Sequence, residues 1–308
     1  MITAAALTAL ALVCAAGAWR LTSARWTHLA PRIAILLWQA IGLTWGLATT
    51  GALLAYALEP YGRGGVLAGL RAFTDSAVSF GFGDGLREPY DLPRITALIA
   101  GLTLLAVLMA VLPSAGVQTL RARRRHRLLL ALVAREDPGV PGVRVLDHPG
   151  AAAYCLPGLR SQVVVSDGTL KLLSPDELTA VLAHEAAHAR ERHDLVLLPF
   201  VALRKALPWV RVIGEAQMAV GLLIEMAADD HARRYCSPRR LATALLRFGT
   251  AGAVPAPHGA LGAAAHVMAR VDRLVRPSVE LPRRFRYGVL TIAVTLSVSA
   301  PLLWVVPS

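Results

Sequence analysis

Residues 174–194 read SPDELTAVLAHEAAHARERHD, and this stretch predicts a capped helix carrying paired imidazoles. Ser174 stands at the N-cap, Pro175 at the first helical position and Glu177 at the third, which together make a capping box. The helix should begin there and run to about His193. His184 and His188 are four residues apart, so they share one helical face a turn apart. Their ring nitrogens can therefore meet at one metal ion. Glu185 follows the first imidazole and can reach a water on that ion.

Zinc lowers the pKa of its bound water to about 7. A carboxylate beside it can take the proton and pass it to a leaving amine, which is the logic of the HExxH metalloprotease motif. The pattern has two variable positions, and a charged, solvated helix face is the plain alternative. Context favours the chemistry: the motif lies mid-helix, follows the apolar run Ala180 to Ala183, and is preceded by an expected strand. Val163, Val164 and Val165 are the candidates for a substrate edge strand, which would bind an extended peptide by strand addition.

A catalytic zinc needs a third protein ligand and one open position. His193 follows His188 by five residues, with no glycine between, so it lacks the metzincin spacing and is expected to pack or cap the helix end. The stretch Glu225-Met226-Ala227-Ala228-Asp229 offers more. Glu225 from a second helix can complete a His-His-Glu set. Asp229 shares its face and can accept a hydrogen bond from the free nitrogen of a ligating histidine. Both acids sit in an apolar helix, where an acid needs a partner. His231 and Tyr235 follow and are candidates for stabilising an oxyanion, with helix-end surface roles as the plainer reading. His148, His258 and His266 have no ligand spacing to one another.

These residues resemble integral-membrane gluzincins. The likeness rests on His184 to His188, Arg192-His193-Asp194, the Glu225 to Asp229 motif, the lead-in Ser166-Asp167-Gly168 with Leu173 to Leu178, and Arg270-Val271-Asp272-Arg273-Leu274. It covers roughly Val143 to Val275. Two related types are similar: the BlaR/MecR peptidases, which the layout of spans favours, and the HtpX and CaaX-prenyl-protease type. The resemblance implies zinc on His184, His188 and Glu225, with Glu185 as base and acid. It implies a mostly helical zincin domain with a small sheet. The sequence stops at Ser308, so the expectation is that the penicillin-binding sensor of BlaR/MecR receptors is lacking.

The remaining chain supplies the setting. Of 308 residues, 55% are hydrophobic, and the mean hydropathy is +0.52, too apolar for an ordinary soluble protein. Four runs reach the roughly 20 apolar residues a helical span needs: Met1 to Trp19, Ile33 to Leu58, Ile95 to about Leu120, and Tyr287 to Ser308. The first could be read as a signal peptide, but nothing basic precedes it, and an uncleaved span is expected. The expected domains are residues 1–120 with three spans and an outer loop at 59–94, a zinc peptidase domain at 121–286, and a fourth span at 287–308. The fold class is a mainly α membrane protein of four transmembrane helices plus an α+β zincin-like domain.

The formal charge of +12 is carried almost wholly by arginine. Arg20, Arg25 and Arg32, then Arg121 to Arg127, then Arg283, Arg284 and Arg286 flank the apolar runs. By the positive-inside rule these flanks and the peptidase domain are cytoplasmic, in a multi-pass protein of a bacterial plasma membrane. The expected partners are a protein substrate, membrane lipids and a possible signalling protein, with no nucleic acid. Contact of Arg121 to Arg127 with anionic lipid fits that placement. Leu195 to Ile213 is apolar but broken by Pro199, Arg204, Lys205, Pro208 and Arg211. It reads either as a hairpin against or within the membrane or as a buried helix pair. Cys14, Cys155 and Cys236 show no ligand spacing.

Overall fold

The computed structural model describes residues 1–61, 65–80, 91–136, 142–156, 162–250, 263–276 and 280–305. The expected loop at 250–259 lies outside these residues from 251 on, as does His258, and so does part of the outer loop.

The chain is mainly helical with one small mixed sheet. It opens with α1 (Ile2–Thr22), α2 (Pro31–Leu58), α3 (Gly65–Phe80) and α4 (Leu92–Val133). Strands β1 (Ala134–Glu136), β2 (Val143–Leu146), β3 (Ala153–Leu156) and β4 (Gln162–Ser166) follow. Then come α5 (Asp167–Leu172), α6 (Pro175–Arg190), α7 (His193–Ala206), α8 (Arg211–Ala232), α9 (Pro238–Thr250), α10 (Ala263–Val275) and α11 (Arg283–Val305).

Among the described residues four helices are long and apolar enough to cross a membrane: α1, α2 with its short extension to Tyr61, α4 and α11. The central one is α2. Thr44 Oγ1 donates to Leu296 O of α11 at 2.8 Å, and Trp304 Nε1 donates to Leu47 O at 3.1 Å. A Cβ on Gly51 would run into the Trp304 indole, so glycine there lets the two helices approach without moving that side chain. At the far end of α2, Glu59 pairs with Arg94 of α4 at 3.0 Å.

The third apolar run and the basic segment after it form one 42-residue helix, α4, which passes through Pro113 without ending. The domain boundary expected at 120/121 therefore falls inside a helix.

The awkward stretch 195–213 resolves into α7, a turn and the start of α8. This hairpin lies against the apolar helices. Phe200, Ala216, Val220, Leu223 and Ile224 share a core with Ala18, Leu37, Trp38, Ile41 and Val289. Gln39 Nε2 donates to Val196 O at 2.7 Å. The packing of this segment on α1, α2 and α11 matches the reading of a buried helix pair.

The sheet order is β1-β2-β4-β3. β2 runs parallel to β4, while β1 and β3 pair antiparallel with β2 and β4. Val163, Val164 and Val165 lie in β4, which is paired on both sides. The sequence reading of these valines as an edge strand is corrected here, because an interior strand has no free backbone groups to offer. Among the described residues β3 pairs only with β4, and its other edge faces the helix that carries the paired imidazoles. Ser166 Oγ and Thr169 Oγ1 tie the β4 end to Gly150 and Ala152 at 2.8–2.9 Å. Gly168 is required there, since a Cβ would lie 2.1 Å from Pro149 O.

Candidate metal centre

Helix α6 starts as its sequence demands. Ser174 Oγ accepts from Glu177 N, and Glu177 Oε2 accepts from Ser174 N at 2.9 Å, closing the capping box. Such a cap stabilises a helix by ~1 kcal/mol. Arg247 of α9 pairs with the same carboxylate at 2.9 Å. The helix ends at Arg190, three residues before the expected end. Arg192 adopts φ 50°, a left-handed turn, and His193 opens α7.

Three side chains converge. His184 Nε2 and His188 Nε2 are 3.1 Å apart. Glu225 of α8 places Oε2 3.4 Å from His184 Nε2 and Oε1 3.6 Å from His188 Nε2. A tetrahedral zinc with metal–ligand bonds of 2.0–2.1 Å holds its donors ~3.3–3.4 Å apart. The three separations bracket that edge length, so the donor set fits the ion. Among the described residues this is the only group of three or more His, Cys, Asp or Glu side chains close enough to hold a metal.

Around the donors lies a buried charge cluster. Asp229 Oδ1 lies 3.0 Å from His184 Nδ1, off the line of a well-formed hydrogen bond. Arg270 of α10 donates Nε and Nη2 to the two oxygens of Asp229 at 2.8 and 2.7 Å, and its Nη1 lies 2.8 Å from Glu225 Oε2. Its Nη2 is also 3.4 Å from His184 Nε2. Arg270 is thus the partner that the two acids of the apolar helix α8 require. The sequence reading noted its motif but gave it no role. The available signal was the excess of acid on α8, which calls for a cation elsewhere.

The electrostatics favour a cation at the donors. Burial alone would lower His184, but its contacts with Asp229 and Glu225 override this and raise it to about 9. The cluster therefore draws a proton to the position a metal would take. Burial pushes His188 down to about 3, helped by His184, His193 and Arg270. Burial likewise pushes Glu185 up to about 7, with Glu225 adding to the effect. Bound zinc and Arg270 would set three positive charges against Glu225, Asp229 and Glu185.

Glu185 Oε2 accepts from Cys155 N at 2.9 Å, which puts this carboxylate against the edge strand β3. Cys155 itself has a thiol that burial pushes up to about 11. His231 faces Glu191, with Nδ1 3.5 Å from Oε1. Tyr235 is 60% exposed, with its ring 5.6 Å from that of His231. Neither has a described contact with the donors. His148 accepts from Gly150 N in a loop, and His266 lies on α10.

The fold and donor set describe a helical protein with four apolar, span-length helices and a metal-binding pattern on a capped helix beside a small sheet. Residues 119–227, about a third of the chain, match the model for "Peptidase family M48". The chain is also similar to proteins named "Protease HtpX homolog". That of Aeropyrum pernix is 38% identical over 79 residues, 23% of this chain and 25% of the relative. That of Thermoplasma acidophilum is 42% identical over 53 residues, 17% of each. That of Trichormus variabilis is 31% identical over 119 residues, 37% of this chain and 40% of the relative. The chain thus spans less than half the length of these relatives. No solved structure matches it significantly. The family match takes in His184 to His188 and Glu225 and ends before Asp229 and Arg270.

Proposed function

We propose that the chain is a membrane-embedded, zinc-dependent endopeptidase that cleaves a protein substrate at the cytoplasmic membrane surface. The observation that carries this reading is the convergence of His184, His188 and Glu225 on one point with Glu185 beside it. In this organisation residues 1–120 and 287–308 carry the spans and 121–286 the peptidase domain. Arginines flanking the apolar helices support the cytoplasmic placement.

His184 Nε2, His188 Nε2 and the Glu225 carboxylate would hold the zinc. When bound, zinc supplies Lewis acidity toward the attacking water and the scissile carbonyl. Glu185 then takes a proton at its carboxylate and delivers it to the leaving amine. Burial raises its pKa to about 7 without metal, and a bound zinc would lower it, leaving the carboxylate ionised and ready to act as base near neutral pH. Asp229 Oδ1, 3.0 Å from His184 Nδ1, would favour the tautomer that frees Nε2 once the ring turns to meet it. The β3 edge offers backbone groups to an extended substrate, replacing the valines of β4 in that role. A structural zinc site is closed by four protein ligands. Three donors meet here among the described residues, which supports catalysis over a receptor with structural zinc.

Two substrate readings stand on different observations. The layout of spans supports a regulatory, repressor-type substrate, as in the BlaR/MecR type. The names of the relatives, proteases of the HtpX type, support the alternative of a protease that clears damaged membrane proteins, as the resemblance to that type implies. Glu185→Gln in the full chain should keep zinc, lose cleavage by about 10²–10⁴-fold, and retain uncleaved substrate. The captured proteins then separate a regulator from damaged membrane proteins. Normal cleavage by this variant would refute the mechanism.

A further inference from the structure

Behind the metal donors lies a second row of polar groups that the chemistry above does not use. His188 turns Nε2 toward His184 and Glu225, so its Nδ1 faces away. There it meets Nδ1 of His193 at 3.1 Å. His193 is 5% exposed, so water does not compete for this contact. The left-handed turn at Arg192 is what folds His193 back beneath α6. His193 Nε2 lies 3.5 Å from Glu191 Oε2. Glu191 is gripped in turn by Arg32, with Nη2 2.6 Å from Oε1 and Nε 3.0 Å from Oε2. Arg32 is the second residue of α2, the most buried of the four apolar helices. Its Nη2 also donates to Ala227 O at 3.3 Å, two residues past Glu225.

The direction of these contacts is fixed by valence. A neutral imidazole has one N–H and one acceptor nitrogen. When Nε2 of His188 ligates, its proton sits on Nδ1 and needs an acceptor. His193 Nδ1 is placed to accept it. The proton of His193 then sits on Nε2, which faces a carboxylate oxygen of Glu191. The Glu191 oxygens accept from His193 and Arg32 together. Every donor along the line meets an acceptor, and no step needs a charged imidazole.

We infer that His193 and Glu191 are positioning residues that hold His188 in its metal-ligating tautomer and anchor it to Arg32 at the foot of α2. This rests on the metal-site reading above. The partner of a ligating histidine is commonly a carboxylate or carbonyl; here an imidazole intervenes and extends the line to a membrane helix. Metal affinity then depends on where α2 stands, and a shift of that helix reaches the zinc without touching a ligand.

The test uses the full chain in detergent, stripped with chelator and titrated with cobalt(II), then zinc in competition with the chelator. Wild type should take up one equivalent, with the visible cobalt spectrum of a low-coordinate site. His193→Ala should weaken binding by about 10–100-fold and alter that spectrum. His193→Asn, whose amide oxygen can accept the His188 proton, should recover most of the loss. Arg32→Met and Glu191→Gln should each weaken binding several-fold, and the double variant should be no worse than Glu191→Gln. Failure of wild type to bind either metal would sink the metal-site reading itself. Wild-type affinity in folded His193→Ala would overturn the positioning role alone. So would equal losses in the Ala and Asn variants with a lowered melting temperature, which is the mark of simple packing. If His193→Ala does not fold, additive effects of Arg32→Met and Glu191→Gln would overturn it instead.

Discussion

Replacing Arg270 by methionine tests how the metal centre is held before any metal arrives. The residue is 7% exposed and grips two acids: Asp229 at 2.7 and 2.8 Å and Glu225 at 2.8 Å. Methionine fills similar space but leaves both carboxylates without their guanidinium. Removing one partner of a buried pair costs about 3–5 kcal/mol. Burial would raise Asp229, yet Arg270 and His184 hold it down at about 2. A group depressed in the folded state contributes stability above its ordinary value of 3.8. That stability is lost as pH falls through 3.8 toward 2. The deficit of Arg270→Met should therefore be full at pH 7 and shrink in strong acid. The assay is unfolding of the full chain in detergent, with chelator present, followed at pH 7. Added zinc should then stabilise the variant more than wild type, because a divalent cation replaces the missing positive charge. An unchanged unfolding midpoint with chelator, or equal zinc stabilisation in both proteins, would refute this reasoning.

Three further outcomes follow from the same site. Asp229→Asn should weaken zinc by about 10–100-fold, read by chelator competition, since the amide no longer favours one His184 tautomer. The rate kcat/KM should fall as pH drops, because Glu185 must be unprotonated to act as base. Bound zinc pulls its pKa down from about 7, so the acid limb should lie below neutrality, and a pH–rate profile that stays flat down to pH 4.5 would contradict that role. Cys155→Pro should abolish cleavage by removing the N–H that Glu185 accepts, while Cys155→Ala should retain it, measured as turnover of one peptide by both variants.

The parts that local chemistry dictates were legible in the sequence. Ser174, Pro175 and Glu177 announce the start of α6, and the structure closes the capping box they promise. The four apolar runs appear as four long helices, and the strand expected at Val163 to Val165 ahead of α6 appears as β4. What escaped depends on pairing between distant segments. The β-branched run Val163 to Val165 marks a strand, but only the pairing with β2 and β3 reveals that it is interior. Strand β1 is three residues long and continues directly from a helix, so it left no periodic signal. The third apolar run was read through Pro113 to about Leu120, but its continuation as one helix into the basic segment was hidden, because hydropathy falls at Arg121 while the backbone does not break. Arg270 and Arg32 look like ordinary surface arginines until α10 and α2 bring them to Asp229 and Glu191. His193 was read as outside the ligand set by its spacing from His188, yet its contact with the back of His188 depends on the left-handed turn at Arg192, which no residue type announces.

X-ray absorption at the zinc edge of the metal-loaded full chain tests the central claim most directly. The account predicts one zinc per chain in a shell of nitrogen and oxygen alone at about 2.0–2.2 Å, with two imidazoles and one oxygen ligand that disappears in Glu225→Ala. A sulfur shell near ~2.3 Å, or full zinc occupancy in His184→Ala, would contradict it.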